Sequence, residues 1–175
     1  AIGFFDGVHK GHASLLQTLV QKAHERGLQS VVITFSKHPR EILGANYVPK
    51  LLTIKDERTE LLEKIGIDLC IVLDADKDLF DLSSKYFMQH YLVEKLNTKY
   101  LLIGHDHHFG NDRENGFSYY KQLGDAMGVE VEQAAAIQVN NFNVSSSMVR
   151  KALLDGQVKQ AGNYLGYSYF INGTV

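Results

Sequence analysis

The stretch Gly3-Phe4-Phe5-Asp6-Gly7-Val8-His9-Lys10-Gly11-His12 decides the local fold of the chain and points to a ligand site. Its apolar start is typical of a short strand, and an amphipathic pattern begins directly after it. Glycines in such a strand-to-helix turn let the backbone bend sharply and approach a ligand closely. The free N–H groups and positive dipole end of the following helix would face that ligand. The stretch therefore predicts an anion site, and a phosphate chain is the best-matched anion.

Composition indicates one domain of ordinary size, which we predict over residues 1–165. The chain has 175 residues, a formal net charge of −2 and one cysteine. The balanced charge argues against a nucleic-acid partner, and the longest apolar runs fall short of the roughly 18 residues that span a membrane. Cys70 lies in an apolar run and reads as a buried strand residue, and the lack of a possible disulfide favours the cytoplasm. Because the chain does not begin with methionine, native residues are expected before Ala1.

Apolar runs of strand length alternate with helical periodicity along the chain. Strands are predicted at residues 30–35, 69–73, 100–103 and 129–132, and helices at 13–26, 53–65, 83–96, 118–127, 146–154 and 158–165. This order predicts an α/β fold, a three-layer Rossmann-like parallel sheet covered by helices on both faces. Ligands bind beyond the carboxyl ends of such strands, where residues 34–40 and 104–116 should join the opening turn. Thr53, followed by Asp56, predicts the cap of the second helix.

His9 and His12 are candidate phosphate ligands, because they stand in a turn whose backbone already offers anion-binding N–H groups. A structural role is the usual interpretation of a lone histidine, and a zinc pair is the other alternative. No Cys, His or carboxylate partner stands nearby at the spacing usual for zinc. The Gly-x-x-x-x-Gly-Lys-Ser/Thr pattern of a P-loop is also absent from the sequence.

Ser145, Ser146 and Ser147 come just before a predicted helix, and Arg150 stands about one turn further on. Serines in this place are helix caps in many proteins. Three in a row, followed by a guanidinium, also offer hydroxyls, free N–H groups and a positive charge to one anion. This segment is the second candidate site for a polyphosphate.

The two segments together resemble the nucleotidyltransferase superfamily with HxGH and SSTxxR-type signatures. More closely, the chain resembles the adenylyltransferase module of the bacterial bifunctional riboflavin kinase/FMN adenylyltransferases, the FAD synthetases. Agreement extends over nearly the whole chain, through Thr34-Phe35-x-x-His38-Pro39-Arg40-Glu41, Leu51-Leu52-Thr53, Gly104-x-Asp106-x-x-Phe109-Gly110 and Leu165-Gly166-Tyr167-x-Tyr169.

The resemblance implies transfer of AMP from ATP to FMN, giving FAD and pyrophosphate, with Mg²⁺ and without a covalent enzyme intermediate. It implies catalytic roles for His9, His12 and Arg150. The residues implied in ATP binding are Gly3, Phe4, Phe5, Asp6, Gly11, Gly104, Asp106, Ser145, Ser146 and Ser147. The implied flavin-binding residues are His38, Pro39, Phe109 and Gly110, whose aromatic and rigid apolar members suit a flat ring. No metal ligands are assigned.

Five positions depart from the family pattern. Ser36-Lys37 stands where Asp-Pro is commoner, and Ser147 where threonine is commoner. His105 and His107 stand where aromatic residues are commoner. With His108, they form a run that could suggest a metal cluster, but polar contacts of a ligand loop are the favoured interpretation. The carboxylates between Asp74 and Asp81 are interpreted as a solvated loop, because they lack the offsets of a calcium site.

Residues 166–175 are interpreted as a linker and the first strand of a riboflavin kinase domain, which the resemblance implies for the native chain. Two rival functions remain open. One is another nucleotidyltransferase with a different phosphorylated acceptor, and the other is a flavin- or nucleotide-binding module without turnover. Phe109 and Pro39 favour a flavin over a thin acceptor, and the presence of His9, His12 and Arg150 favours turnover.

Overall fold

Strands and helices alternate in the computed structural model, which describes residues 1–44, 48, 50–105, 107–112, 116–135, 138–139 and 142–173. The helices are α1 (Lys10–Glu25), α2 (Pro39–Leu43), α3 (Lys55–Lys64), α4 (Lys77–Phe80), α5 (Ser84–Phe87), α6 (Gly116–Met127), α7 (Ser146–Leu154) and α8 (Val158–Leu165). The strands are β1 (Val31–Phe35), β2 (Leu69–Leu73), β3 (Tyr100–Ile103), β4 (Glu130–Gln133), β5 (Gln138–Val139) and β6 (Phe142–Asn143). A 3₁₀ turn at Asp6–Val8 precedes α1, and a π-helical segment at Met88–Lys95 continues α5.

The main strands pair in parallel, as predicted. β1 runs beside β2 with Val31 opposite Leu69, and β3 runs beside β4 with Tyr100 opposite Glu130. The first residues of the chain run parallel to β1, since Ile2 bridges to Ile33. The short strands β5 and β6 instead form an antiparallel pair.

Helices cover both faces of these strands. Successive strand side chains point to opposite faces, and the apolar ones pack against helices on each face. Ile33 and Leu101 share one apolar cluster with α6 and the π-helical segment. Val32 and Leu102 share a second cluster with α1 and α3 on the other face. The predicted three-layer α/β fold is confirmed.

The segment after α8 contains no strand at residues 166–173, and residues 174–175 of the predicted linker and strand lie outside the described residues. The Tyr167 hydroxyl donates to the Gly7 carbonyl at 2.7 Å, and the Asn172 N–H donates to the Glu57 carboxylate at 3.1 Å. These bonds hold the segment against the opening turn and α3 rather than beside a strand. Among the described helices, none is both long and apolar enough to cross a bilayer.

Candidate active site

A cavity of about 410 Å³ lies beyond the carboxyl ends of the parallel strands. Its lining comes from the opening turn, from the segments after β1, β3 and β4, and from the first residues of α7. The predicted meeting of these segments at one edge is therefore observed. Doubly wound folds bind ligands at this edge.

Most of the predicted site residues line this one cavity. They are Gly3, Phe4, Phe5, Asp6, His9, Gly11, His12, His38, Gly104, Ser145, Ser146, Ser147 and Arg150. Asp106 lies outside the residues that the structure describes. As far as the lining is described, it does not include Pro39, Phe109 or Gly110.

Phe109 belongs to the core rather than to the cavity wall. Its ring stacks on Tyr120 with centroids 4.5 Å apart, and the Tyr120 hydroxyl donates to the Phe109 carbonyl at 2.9 Å. Gly110 has φ +84°, and a Cβ there would come within 2.4 Å of the Ser84 nitrogen. The Gly-x-Asp-x-x-Phe-Gly loop is thus anchored by its last residues, while its first residues reach the cavity.

The opening turn holds backbone strain beside the cavity. Phe5 has φ +55° and Val8 has φ +34°, the left-handed region that side chains other than glycine seldom adopt. Such conformations persist where surrounding bonds determine them, and they concentrate at functional sites.

The carboxylate of Asp6 supplies much of that restraint. It is 3% exposed and accepts hydrogen bonds from the backbone N–H groups of Leu52 at 2.9 Å and Thr53 at 3.1 Å. Its other oxygen lies 3.3 Å from Nη2 of Arg150. Asp6 was predicted to contact ATP, but in this structure its oxygens join the turn to residues 52–53 and to α7.

Thr53 is not the helix cap that its spacing from Asp56 predicted. Its hydroxyl accepts from the Gly7 N–H at 3.1 Å and lies 3.3 Å from the Asp6 carboxylate. The helix starts later, at Lys55, and the Glu57 carboxylate accepts from the Ile54 N–H at 3.0 Å. Thr53 instead binds the opening turn, which lies more than 40 positions earlier in the chain. Local sequence spacing does not reveal such a long-range contact.

His9 and His12 form a stacked pair at the N-terminus of α1. Their ring centroids are 3.7 Å apart, and Nδ1 of His9 accepts from the His12 backbone N–H at 3.3 Å. A nitrogen that accepts carries no proton, so neutral His9 has its proton on Nε2. A Cβ on Gly11 would lie 3.2 Å from the His9 ring, which explains the glycine between the two histidines.

Burial favours the neutral form of both imidazoles. Burial lowers the pKa of His9 to about 4, and the charge of Arg150 acts in the same direction. Burial lowers the pKa of His12 well below its ordinary value, and repulsion from the protonated forms of His9 and His107 acts in the same direction. A neutral imidazole keeps one N–H group, which can donate a hydrogen bond to an anion in the cavity.

The low pKa of His9 predicts a pH-dependent stability. The His9 imidazole binds a proton near pH 6.5 in the unfolded chain but only near pH 4 in the folded protein. The folded protein therefore loses stability as the pH falls from about 6.5 to about 4. We expect the free energy of unfolding to fall by up to about 1.4 kcal/mol per pH unit for this one group. Denaturant titrations between about pH 5 and 7 would measure the slope.

The matched variant for this prediction is His9→Asn, which keeps a capping acceptor but cannot titrate. Its free energy of unfolding should depend less steeply on pH than that of the wild type. Equal slopes in phosphate-free buffer would contradict a buried neutral His9.

Arg150 and the serines before it form the opposite side of the site. The Ser145 hydroxyl caps α7 by accepting from the Met148 N–H at 3.4 Å, as the structural interpretation expected. The Ser146 hydroxyl donates to the Asp6 carbonyl at 2.9 Å, and Ser147 accepts from Arg150 at 3.4 Å. Nε of Arg150 is buried without a hydrogen-bond partner among the described residues.

The N-termini of α1 and α7 therefore open into one cavity, together with the guanidinium of Arg150. Each helix end offers free N–H groups and a positive dipole end. An anion with several phosphates could bind to both ends at once.

An aromatic surface lies on the wall formed by the opening turn and α2. The rings of Phe4 and His38 meet edge to face with centroids 4.8 Å apart. Arg58 packs over Phe4 at 4.1 Å and donates to the Phe35 carbonyl at 2.7 Å. Arg58 is 1% exposed, so its guanidinium packs against Phe4 from the interior of the protein.

Arg40 and Arg58 were not predicted as site residues, and His105 and His107 were predicted only as polar contacts of a ligand loop. Arg40, His105 and His107 line the cavity, and Arg58 lies behind Phe4. The sequence contained a signal for Arg40, which belongs to the family motif at residues 34–41, and for His107, which belongs to the histidine-rich run at residues 105–108. Arg58 gave none, because one arginine on an amphipathic helix ordinarily faces solvent.

Comparison with known proteins gives relatives along the whole chain. Bifunctional riboflavin kinase/FMN adenylyltransferases from Escherichia coli strain K12 and Haemophilus influenzae are 32% and 35% identical over 174 and 175 residues. Each alignment covers 99% of this chain and 56% of the relative. The chain therefore spans little more than half the length of these relatives.

A solved structure and a family model agree with this match. A crystal structure described as a macrolide-efflux protein from Streptococcus pneumoniae has a TM-score of 0.84 at 30% identity, covering 96% of this chain and 64% of that one. That likeness concerns the fold. The FAD synthetase model matches residues 1–148, which include the opening turn, the aromatic surface and the three serines at the start of α7. By this match, the chain belongs to the FAD synthetase family.

Proposed function

We propose that the protein transfers AMP from ATP to FMN, producing FAD and pyrophosphate. The main support is the geometry of one cavity that lies beside an aromatic surface. This cavity is lined by two helix N-termini, by Arg150 and by the stacked pair of His9 and His12. Membership of the FAD synthetase family supports the choice of FMN as acceptor. Relatives that carry adenylyltransferase in their names support the class of reaction.

The reaction would proceed by direct displacement. A phosphate oxygen of FMN attacks the α-phosphorus of ATP, a new phosphorus–oxygen bond forms, and the bond to pyrophosphate breaks with its electron pair. Because a phosphate monoester is largely dianionic at neutral pH, the nucleophile requires no general base. Neutral histidines of low pKa suit this chemistry, since positioning and charge stabilisation do most of the work in such transfers.

His9 and His12 would donate hydrogen bonds to the α-phosphate as charge develops on it. Arg150, Ser146 and Ser147 would hold the β- and γ-phosphates, and the leaving pyrophosphate would stay on them. Asp6 supports this arrangement by holding Arg150 at 3.3 Å.

We infer that Mg²⁺ enters with ATP as part of the substrate. The described residues contain no group of three or more His, Cys, Asp or Glu that could hold a metal ion. The Asp6 carboxylate is already occupied by N–H groups and Arg150. Mg²⁺ is commonly held by substrate phosphates with few protein ligands, which agrees with this arrangement.

The flavin ring is proposed to lie against Phe4 and His38, with Arg58 behind them. In this proposal, His38 has the flavin-binding role that was predicted for it, and Phe4 replaces Phe109 as the aromatic wall. Pro39 follows His38 as the first residue of α2 and would limit the movement of this wall.

Replacing Phe4 with alanine should raise the KM for FMN about tenfold while leaving the KM for ATP within about threefold. Stacking on an aromatic face is worth about 1–3 kcal/mol per ring, and a loss near 1.4 kcal/mol is tenfold. Steady-state kinetics with each substrate varied would check this. Phe80, which packs against Phe35 in the core cluster, provides the matched control as Phe80→Leu. A Phe4→Ala variant with an unchanged KM for FMN would contradict the placement.

The test of the function is a comparison of acceptors. The protein is incubated with ATP, Mg²⁺ and either FMN, nicotinamide mononucleotide or phosphopantetheine, and the products are separated by chromatography. FAD should form from FMN, and the other two acceptors should remain unchanged. Turnover of another acceptor without FAD formation would replace the proposed function with that of a different nucleotidyltransferase.

For the whole native protein, we infer a riboflavin kinase domain after residues 166–175, ATP and FMN as its small-molecule partners, and a cytoplasmic location. The kinase domain is supported by the double name of the relatives and by the 56% of their length that the chain spans. Conversion of riboflavin to FMN by the native polypeptide would test the kinase domain.

A further inference from the structure

His107 lines the cavity, yet the proposed chemistry gives it no role. Its backbone N–H donates to the Gly104 carbonyl at 3.1 Å and closes a tight turn after β3. A Cβ on Gly104 would lie 3.5 Å from Cβ of His107 and 3.3 Å from Leu15, which stands one turn after His12 on α1. His107 therefore lies beside the helix that carries His12.

Two other imidazoles of the cavity have their tautomers determined by backbone N–H groups. Nδ1 of His9 accepts from the His12 N–H at 3.3 Å, and Nδ1 of His38 accepts from the Arg40 N–H at 3.1 Å. Both histidines are helix N-caps, the position that provides such a donor. Each of them, when neutral, presents its proton on Nε2.

His12 lacks this device, because it stands inside the first turn of α1. Its Nδ1 is buried and has no hydrogen-bond partner among the described residues. Neutral His12 can donate to a phosphate from Nε2 while its Nδ1 acts as an acceptor, and a donor placed at Nδ1 would favour that tautomer.

His107 carries the complementary atom. Its Nε2 is also buried and without a partner among the residues described. Burial lowers the pKa of His107 to about 4, so this ring holds one proton and one lone pair at neutral pH. Unpaired buried polar atoms are uncommon in native proteins, and here two of them belong to neighbouring neutral imidazoles.

We propose that His107 is a positioning residue for His12: in the nucleotide complex, its Nε2–H donates to Nδ1 of His12 and keeps the His12 proton on Nε2, where it meets the phosphates. Hydrogen bonds of this kind are often long in free enzymes and tighten when substrate binds. The catalytic consequence of this bond rests on the proposed function, whereas the bond itself does not.

The tautomer of His12 can be measured directly. Protein labelled with ¹⁵N in its imidazoles is bound to a non-hydrolysable ATP analogue with Mg²⁺, and two-bond ¹⁵N–¹H spectra identify the protonated nitrogen. We expect the Nε2–H form of His12 in the wild type and a large share of the Nδ1–H form in His107→Phe. His107→Gln, whose amide keeps an N–H donor, should retain the Nε2–H form. An unchanged His12 tautomer in His107→Phe would overturn the proposal.

Kinetics provide the second measurement. His107→Phe should lower kcat about tenfold and leave the KM for ATP within threefold, and His107→Gln should stay within threefold of the wild type. His108→Phe is the matched control, because His108 is exposed in the same loop and is not among the residues that line the cavity. If His107→Phe does not fold, His107→Leu replaces it in both measurements.

The outcomes separate this proposal from the proposed function. A wild-type protein that binds the nucleotide but forms no FAD would remove the proposed function, and the tautomer spectra would still decide the role of His107. Equal losses of kcat in His107→Phe and His107→Gln, with His12 unchanged, would show a packing role and overturn the positioning role.

Discussion

Replacing His12 with alanine is expected to lower the kcat of FAD formation about 100- to 1,000-fold. Removing one preorganised donor from a site of developing charge typically has an effect of this size. His12 stacks on His9 at 3.7 Å and meets the Phe5 ring at 5.2 Å, so its ring is held before substrate arrives. Rapid-quench measurement of FAD formed in a single turnover would isolate the chemical step.

The control for this variant is His24→Ala, an exposed histidine near the end of the same helix. It should leave kcat unchanged. Binding of an ATP analogue by calorimetry should show that His12→Ala still occupies the cavity. A His12→Ala protein that is folded and keeps kcat within about threefold of the wild type would contradict the role of His12.

Replacing Asp6 with alanine is expected to lower the free energy of unfolding by about 3–5 kcal/mol, the usual effect of removing one partner from a buried charged network. The N–H groups of Leu52 and Thr53 would lose their acceptor, and Arg150 would lose its ion pair. The strained turn between Phe5 and Val8 would also lose its restraint. Urea denaturation monitored by circular dichroism would measure the change.

Asp125→Ala is the matched control for Asp6. Asp125 is exposed on α6, where its ion pair with Lys121 spans 3.7 Å, and such surface pairs contribute about 0–1 kcal/mol. If Asp6→Ala lowered the free energy of unfolding no more than Asp125→Ala does, the buried carboxylate would not be the anchor of the turn.

The fold could be predicted because its signals are local. Buried parallel strands are short apolar runs, and the helices between them show a helical apolar period, so both appear in the chain itself. The predicted strand at 30–35 is observed as Val31–Phe35, and the predicted helix at 146–154 as Ser146–Leu154. The side of the cavity that holds the helix N-termini could be predicted as well, because a strand-to-helix turn places N–H groups by backbone geometry alone.

The remaining features depend on tertiary contacts that sequence spacing does not encode. The aromatic side chain of Phe109 would suit the wall of a ligand site, but its ring stacks on Tyr120 in the core. Thr53 has the spacing of a helix cap, but Gly7 and Asp6 bind its hydroxyl. Arg58 is buried behind Phe4 through contacts with residues that precede it by more than 20 positions.

Direct transfer of AMP to FMN, without a covalent enzyme intermediate, can be followed in a single-turnover experiment. The protein is mixed with ATP labelled with ³²P at the α-phosphate, FMN and Mg²⁺, and the small molecules and the polypeptide are resolved separately. The structure predicts that the label passes from ATP to FAD with one pyrophosphate released per FAD, and that the polypeptide remains unlabelled at all times. A folded protein that leaves the ATP intact in the presence of FMN, or that carries the label on its own chain before FAD forms, would contradict this claim.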